Sequence, residues 1–165
     1  MRLDLRKIIH VPGASIPFSF SLDLSQEEFF GERPIYRPVT VEGLVKNVAD
    51  VLMLEGEAKS LLDYTCDRCM SRFSREKVVG LRFLLAETLE GEDDGEIVLL
   101  DEGEVDVGEL AYTAFILDMD TKHLCSEDCK GLCPGCGVNL NQEPCRCKKQ
   151  ADPRWAALEQ LLNKN

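Results

Sequence analysis

One stretch near the end of this 165-residue chain determines how the rest is interpreted: Cys125-Ser-Glu-Asp-Cys129-Lys-Gly-Leu-Cys133-Pro-Gly-Cys136-Gly-Val-Asn-Leu-Asn-Gln-Glu-Pro-Cys145-Arg-Cys147. Six of the eight cysteines lie in it, and the other two form the upstream pair Cys66-Asp-Arg-Cys69. In a reducing compartment, cysteines at such short spacings are more often metal ligands than disulfides. We therefore interpret all eight as metal ligands.

The second half of the stretch holds a complete set of four ligands. The sequence Cys133-Pro-Gly-Cys136-Gly is typical of a zinc knuckle, in which two thiolates converge on one metal and Gly137 allows a positive φ. Two more thiolates after a gap would complete a tetrahedral site. The two remaining pairs then complete each other. The predicted ligands are Cys66, Cys69, Cys125 and Cys129 in site 1, and Cys133, Cys136, Cys145 and Cys147 in site 2.

Other partitions and other metals fit the same residues. A single site is possible if Cys125 or Cys129 replaces one of the assigned ligands and the remaining thiols are free. His123 is close enough to compete as a ligand, although an exposed surface histidine is the preferred interpretation, as it is for His10. Two zinc ions per chain are expected because thiolate-rich structural sites most often hold zinc, but a rubredoxin-type iron would suit the same knuckle.

Enzymatic uses of these cysteines are less well supported. The Cys66–Cys69 spacing matches a thioredoxin-like redox pair, but such a pair needs a helix N-terminus, and here a strand is predicted on both sides. A catalytic zinc needs an open coordination position, which a complete four-thiolate set closes. The sequence shows no nucleophilic triad and no phosphate-binding loop. We expect no catalytic residue, and a thiol redox protein is the weakest of the alternatives.

The remaining chain is predicted to be an α+β fold, mainly an antiparallel β-sheet or meander with a few short helices and the zinc module at its C-terminal end. Pro17 favours an edge position for its strand. Ser25–Glu28 has capping-box spacing and predicts one short helical turn, and Asp106–Glu109 begins an amphipathic helix to about residue 117. The predicted strands are 2–11, 15–22, 38–47, 51–66, 73–86 and a short one at 97–100.

Two domains are predicted from this pattern. The first, residues 1–118, is β-rich and contains the acidic segment 87–109 and the helix at about 106–117. The second, residues 119–165, contains the zinc-binding knuckle and a final helix with Asp152 as its N-cap, Pro153 at its first position and Trp155 on its apolar stripe. Cys66 and Cys69, at the tip of a predicted hairpin, would pack the second domain on the first.

Charge is distributed unevenly along the chain. The formal net charge is -11, and residues 87–109 hold eleven acidic residues and no lysine or arginine. The rest of the chain has 19 acidic and 19 basic residues and is neutral. An acidic protein does not bind nucleic acid indiscriminately, so contact with RNA would need a local basic patch or a basic protein partner.

Two basic patches flank the predicted metal ligands, and we interpret them as candidate RNA contacts. No aromatic platform accompanies them, so base stacking is not predicted. The first patch follows the hairpin tip into the next strand, and the second surrounds the last cysteines. The candidates are Arg68, Arg72, Arg75, Lys77, Arg82, Arg146, Lys148, Lys149 and Arg154.

The motifs together resemble one family. A Cys66-Asp-Arg-Cys69 pair after a long strand, an Asp106-Val-Gly-Glu-Leu helix start and the stretch from Cys125 to Asn141 are similar to the YceD family of large ribosomal RNA subunit accumulation proteins, found in bacteria and plastids. The resemblance covers nearly the whole chain, and the cysteine stretch is its most specific part. It implies a role in ribosome biogenesis that is not enzymatic.

The expected function is therefore a zinc-stabilised factor for the accumulation or assembly of large-subunit ribosomal RNA. Its expected partner is ribosomal RNA or a pre-ribosomal particle. The alternative is a protein-interaction module or chaperone for a basic large-subunit ribosomal protein, without RNA contact. Neither a membrane nor a small-molecule substrate is expected. Met1-Arg-Leu-Asp-Leu-Arg-Lys is followed by no apolar signal-peptide region, so the expected location is the cytoplasm.

Overall fold

The computed structural model describes residues 1–88 and 97–147, which divide into two compact units. The first, here called the sheet unit, comprises Met1–Thr65 and, apart from 89–96, Arg72–His123. The second, here called the cysteine unit, comprises Cys66–Ser71 and, within the described residues, 124–147. All eight cysteines belong to the cysteine unit.

A five-stranded sheet forms most of the sheet unit, with the strand order β2-β3-β4-β5-β6. Strands β2 to β5 are antiparallel neighbours, and the short β6 pairs in parallel with the end of β5. β2 is an edge strand, as Pro17 predicted. The strands are β2 (Ser15–Leu22), β3 (Val39–Val48), β4 (Val51–Thr65), β5 (Arg72–Ala86) and β6 (Ile97–Leu99).

Alternating polarity explains why these segments are strands. In β4 every second side chain points into the core, including Leu54, Ala58 and Leu62, which are all fully buried. Gly43 of β3 faces Gly56 of β4 across the sheet, and Phe18 of β2 is the partner of Gly43 on the other side. A Cβ atom at Gly43 would lie 2.7 Å from the Phe18 ring and 2.7 Å from the Gly56 Cα atom. The three strands therefore need glycine there.

The turn between β3 and β4 depends on a buried asparagine. Ala49 and Asp50 both have a positive φ, of 51° and 67°, as a type I′ hairpin turn requires. The Asn47 side chain, 1% exposed, accepts a hydrogen bond from the Asp50 N–H at 2.9 Å. It also donates to the carbonyls of Ile8 and Ile9 at 2.9 and 2.7 Å. Asn47 thus connects the hairpin to the first residues of the chain.

The prediction of one strand over residues 2–11 is wrong beyond Asp4. Strand β1 (Arg2–Asp4) pairs with a short strand β7 (Glu104–Asp106) that the sequence did not predict. After Asp4 the chain turns: the Asp4 carboxylate accepts from the Arg6 N–H, and the Ile8 N–H donates to the Leu5 carbonyl. Leu5, Ile8 and Ile9 are buried because their spacing of three to four residues suits this turn, not a strand.

The helix α1 (Val107–Leu117) begins where the sequence predicted it. Asp106 caps it by accepting a hydrogen bond from the Glu109 N–H at 3.1 Å. Val107, Ala111 and Phe115 lie one turn apart on the same face and are completely buried. The helix packs this face towards β5 and β1, and together with the sheet it encloses one apolar core.

The fold class agrees with the prediction, with two corrections. The described residues contain one α-helix, and the capping-box segment at Ser25 forms a turn in which Asp23, not Ser25, accepts from a backbone N–H. The predicted helix that begins at Pro153 and residues 89–96 of the acidic segment lie outside the described residues. Within the described ranges, no helix combines the length and the apolar character needed to cross a membrane.

Candidate metal centres

A tight turn positions the first two cysteines. The Met70 N–H donates to the Cys66 carbonyl, and the Cys66 N–H donates to the Ser71 carbonyl, each at 2.9 Å. Met70 has a φ of 58°, which reverses the chain after Cys69. No helix begins at Cys66 or Cys69 in the described part of the chain, so the helix N-terminus that activates a thioredoxin-like thiol is not formed there.

The Cys66 turn and the segment after Leu124 hold one group of sulfur atoms. In the first cysteine group (Cys66, Cys69, Cys125 and Cys129), the four Sγ atoms lie within 4.8 Å of one another. Cys66 Sγ is 3.8 Å from Cys129 Sγ, and Cys69 Sγ is 3.7 Å from Cys125 Sγ. Three of the four residues are buried, with Cys66 fully inaccessible. Cys125 is the most accessible member.

Arg68 and Gly131 hold these two segments together. The Arg68 guanidinium donates to the carbonyls of Glu127 and Cys129 at 3.2 and 3.1 Å, and the Leu132 N–H donates to the Arg68 carbonyl at 2.9 Å. Gly131 has a φ of 74°, and a Cβ atom there would lie 3.0 Å from the Arg68 carbonyl oxygen. The Gly131 position therefore requires glycine for both its conformation and its close approach.

The knuckle and the Cys145–Cys147 pair hold the other sulfur atoms. In the second cysteine group (Cys133, Cys136, Cys145 and Cys147), the Sγ atoms also lie within 4.8 Å of one another. Cys133 Sγ is 3.3 Å from Cys145 Sγ and 3.6 Å from Cys147 Sγ. Cys133 is buried and the other three are exposed.

Glycines shape the second group. A Cβ atom at Gly135 would lie 2.6 Å from Cys147 Sγ, so only glycine leaves room for that sulfur. Gly137 has a φ of 70°, as the sequence predicted, and its N–H donates to the Cys133 carbonyl at 2.8 Å.

Two asparagines in the gap of the second group connect it to the first group. Asn139 donates to the Ser71 hydroxyl at 3.2 Å, and its Oδ1 atom accepts from the Asn141 N–H at 3.0 Å. Asn141 donates to Cys129 Sγ at 3.3 Å and accepts from the Lys130 N–H at 2.8 Å. This role of Asn139 and Asn141 was not predicted from the sequence. Their only sequence signal is that both lie between two ligand pairs.

Backbone donors favour the thiolate form at one cysteine pair in each group. Burial raises the pKa of Cys66, but N–H groups of Cys125, Cys69 and Arg68 outweigh it and lower that pKa to about 6. The Ser71 hydroxyl and N–H lower the pKa of Cys69. In the second group, N–H groups of Cys136 and Gly135 lower the pKa of Cys133 to about 6, and N–H groups of Val138 and Arg146 lower the pKa of Cys136.

The same crowding opposes complete ionisation in each group. Burial, followed by the neighbouring thiol of Cys129, raises the pKa of Cys125 to about 12. The neighbouring thiols of Cys133 and Cys145 raise the pKa of Cys147 to about 12. Four thiolates this close need a cation, which would displace the remaining protons.

Both groups fit a tetrahedral metal ion. Four sulfurs at about 2.3 Å from a zinc ion lie about 3.8 Å from one another, and the separations in the first group are close to this value. A disulfide would need about 2.05 Å between sulfurs, much less than any of these separations. The two groups of four could therefore bind metal ions such as zinc. This division into two groups of four is the one that the cysteine spacing in the sequence favoured over a single site.

Neither histidine joins these groups among the described residues. The His123 ring stacks on Tyr64, with centroids 3.9 Å apart and an angle of 18° between the planes. His10 is exposed and lies 4.0 Å from Glu87.

The basic residues do not form the continuous patch that was expected along β5. Side chains alternate across a strand, so Arg72 and Arg82 lie on one face of the sheet, and Arg75 and Lys77 lie on the other. Lys77 is 15% exposed and pairs with Asp118 and Asp120, while Arg75 lies 5.3 Å above the Phe73 ring.

Of the other predicted RNA contacts, two lie among the described residues and three do not. Arg68 uses part of its guanidinium within the cysteine unit, as described above, and Arg146 pairs with Glu143. Lys148, Lys149 and Arg154 lie outside the described residues.

Comparison with known proteins identifies a family. The family model described as Large ribosomal RNA subunit accumulation protein YceD matches residues 54–162, which include all eight cysteines. An uncharacterized protein of Mycobacterium tuberculosis, Rv2926c, is 34% identical over 125 residues, and an uncharacterized protein of Mycobacterium leprae, ML1660, is 26% identical over 132 residues.

The aligned regions cover only part of these relatives. The matches span 72% and 76% of this chain but 59% of each mycobacterial protein. No solved structure matches the chain.

Proposed function

The chain belongs to the YceD family, and on that premise we propose that it is a non-enzymatic factor that promotes the accumulation and assembly of large-subunit ribosomal RNA. Its proposed partner is ribosomal RNA or a pre-ribosomal particle, and its proposed location is the cytoplasm. The observation that carries the proposal is the family match, whose span contains both cysteine groups.

The chemistry of the cysteine groups supports a structural role for the metal. A zinc ion held by four sulfurs has no open position at which to bind water or substrate, so it stabilises the fold without reacting. The first group joins Cys66–Ser71 to the segment after Leu124. Its neighbouring sulfur atoms belong to cysteines that are 63 residues apart (Cys66 and Cys129) and 56 residues apart (Cys69 and Cys125) along the chain. Zinc there would replace the core that the small cysteine unit is too short to build.

The main test compares ribosomal RNA in cells with and without the protein. Depletion is expected to lower mature large-subunit RNA relative to small-subunit RNA and to increase large-subunit precursors. Restoring the wild-type chain should reverse both changes, and the chain should sediment with large-subunit precursor particles. An unchanged ratio of the two RNAs together with no sedimentation on ribosomal particles would contradict the proposal.

A second candidate is a chaperone for a basic ribosomal protein without RNA contact. Acidic side chains surround a small cavity of about 190 Å³ beside the start of α1, where a basic segment could bind: Asp101, Glu104, Asp106 and Glu109, with Arg2 as the basic lining residue. Capture of precursor particles from cells, with and without ribonuclease treatment, separates the candidates. A basic ribosomal protein that stays bound after the RNA is digested favours the chaperone.

A further inference from the structure

A larger cavity, of about 730 Å³, lies within the sheet unit between the loop before β3 and the ends of β4 and β5 that lead to the hairpin tip. The Asp63 N–H donates to the Pro34 carbonyl at 2.9 Å, which holds the loop against the edge of β4. The residues lining this cavity include Glu28, Glu32, Arg33, Tyr36, Asp63 and Arg72.

The loop presents exposed aromatic side chains on a fixed backbone. Tyr36, which lines the cavity, is 66% exposed, and Phe30 next to the lining residue Gly31 is 76% exposed. Pro34 and Ile35 are fully buried and fix the backbone before Tyr36. An exposed aromatic ring on a rigid backbone is a surface on which a nucleic-acid base can stack. Tyr36 lines the same cavity as Arg72, and the sequence alone gave no sign of this aromatic neighbour.

The cavity contains both signs of charge, which restricts the ligand. Arg33 and Arg72 are exposed, and among the described residues no ion pair neutralises either of them. Glu28, Glu32 and Asp63 face the same space, and Ser74 donates to the Asp63 carboxylate at 2.5 Å. A basic peptide would leave the arginines unsatisfied, and a plain polyanion would leave the carboxylates unsatisfied. A nucleotide carries both a phosphate and base N–H groups.

We propose that this cavity binds an unpaired nucleotide of single-stranded RNA. Tyr36 stacks on the base, Arg33 and Arg72 contact the phosphates on either side, and the carboxylates accept hydrogen bonds from base N–H groups. Guanine suits the carboxylates best because two adjacent N–H donors lie on its Watson–Crick edge, whereas uracil has one. The inference rests on the proposed function and deepens it, since it names the RNA contact.

Fluorescence anisotropy with the full-length, zinc-loaded protein tests the site. The probes are a labelled RNA of about ten uridines with one central guanosine and the same RNA without it. The guanosine probe should bind more tightly. Tyr36→Ala should weaken its binding about tenfold, Tyr36→Phe should preserve it, and Arg72→Glu should weaken it and reduce its dependence on salt.

Matched controls separate the site from general charge and folding effects. Lys7→Glu changes the net charge as much as Arg72→Glu does, and Tyr112→Ala removes an aromatic side chain from α1, outside the cavity lining. Both should bind RNA as the wild type does, and all variants should keep the wild-type circular dichroism spectrum. The proposal would be overturned if the control variants lost as much RNA affinity as the cavity variants, or if Tyr36→Ala bound RNA as tightly as the wild type.

Two further outcomes identify which hypothesis fails. If a labelled arginine-rich peptide binds in a Tyr36-dependent way and RNA does not, the cavity serves a basic protein segment and the RNA inference is wrong. If Tyr36→Ala abolishes RNA binding but depletion of the protein leaves the ribosomal RNA ratio unchanged, the cavity is confirmed and the ribosomal role fails.

Discussion

Asn141 donates a hydrogen bond from Nδ2 to the Sγ atom of Cys129 at 3.3 Å. Asn141 lies in the loop of the second cysteine group, and Cys129 is a member of the first, so this bond couples the two groups. A hydrogen bond to a thiolate ligand orients it and tunes its affinity for the metal.

Asn141→Ala is therefore expected to weaken metal retention at the first group by about 10- to 100-fold. The measurement is competition with a chromogenic chelator, with Gln142→Ala as the control because Gln142 is exposed beside it. Equal retention in the two variants would mean that the bond does not support the site.

Gly135→Ala is expected to displace Cys147, because the added Cβ atom would lie 2.6 Å from its sulfur. The variant should lose one metal ion per chain, from the second group, and keep the other. Gly137→Ala is the matched control: its φ of 70° makes it strained, but its Cβ atom would meet nothing within 4 Å. Full metal content in Gly135→Ala would refute the assignment of Cys147 as a ligand.

Gly43→Ala is expected to destabilise the sheet unit by about 1–3 kcal/mol or more, since the new Cβ atom would collide with the Glu55 carbonyl, Gly56 and the Phe18 ring. Gly80→Ala, in β5, should be nearly neutral because its Cβ atom would meet nothing within 4 Å. Urea unfolding of both variants provides the comparison. Similar midpoints would show that the three strands are not packed as described.

Stability should also depend on the Asp4–Arg6 pair in acid. The Arg6 side chain donates to both carboxylate oxygens of Asp4, at 2.9 and 2.8 Å, and lowers the pKa of Asp4 from 3.8 to about 2. Because the pKa is lowered on folding, the contribution is complete above the unfolded pKa and is lost as pH falls through the folded one.

Asp4→Asn should therefore be less stable than the wild type at pH 7, and the difference should shrink between about pH 4 and about pH 2. Urea unfolding at a series of pH values measures this difference in stability. Release of metal in acid would affect both proteins equally, because both have the same cysteine groups, and so would not change the difference. A difference that is constant over this range would contradict the ion pair.

Local patterns were sufficient to predict most of the sheet. β2 to β5 lie within about one residue of their predicted bounds because each alternates in polarity along its length, and Asp106 identified the start of α1. Long-range pairing was not predictable in this way. β1 and β7 have three residues each, which is too few to show an alternation of polar and apolar side chains. Their pairing also joins positions about a hundred residues apart.

The cysteine groups were predictable and their surroundings were not. Counting ligands was enough to place Cys133 with Cys147 and Cys66 with Cys129, as the structure does. The hydrogen bond from Asn141 to Cys129 could not be predicted from the neighbouring sequence, because only the folded chain brings the two residues together. The basic patch along β5 was predicted wrongly for a reason visible in the sequence, since Arg72 and Arg75 are an odd number of residues apart and must face opposite ways.

The cavity was missed because its residues come from two distant segments. Tyr36 and Arg72 are far apart in the chain, and only the fold of the loop against the edge of β4 brings them to one space.

Elemental analysis of the purified protein, combined with titration of its thiols without denaturant, tests most directly whether both cysteine groups hold metal. We expect two zinc ions per chain and no rapidly reacting thiol among the eight cysteines. Cys66→Ser and Cys133→Ser should each lower the zinc content by one ion. Protein that is folded yet carries no metal, or that carries a single ion with four reactive thiols, would contradict the account of two cysteine groups acting as structural metal sites.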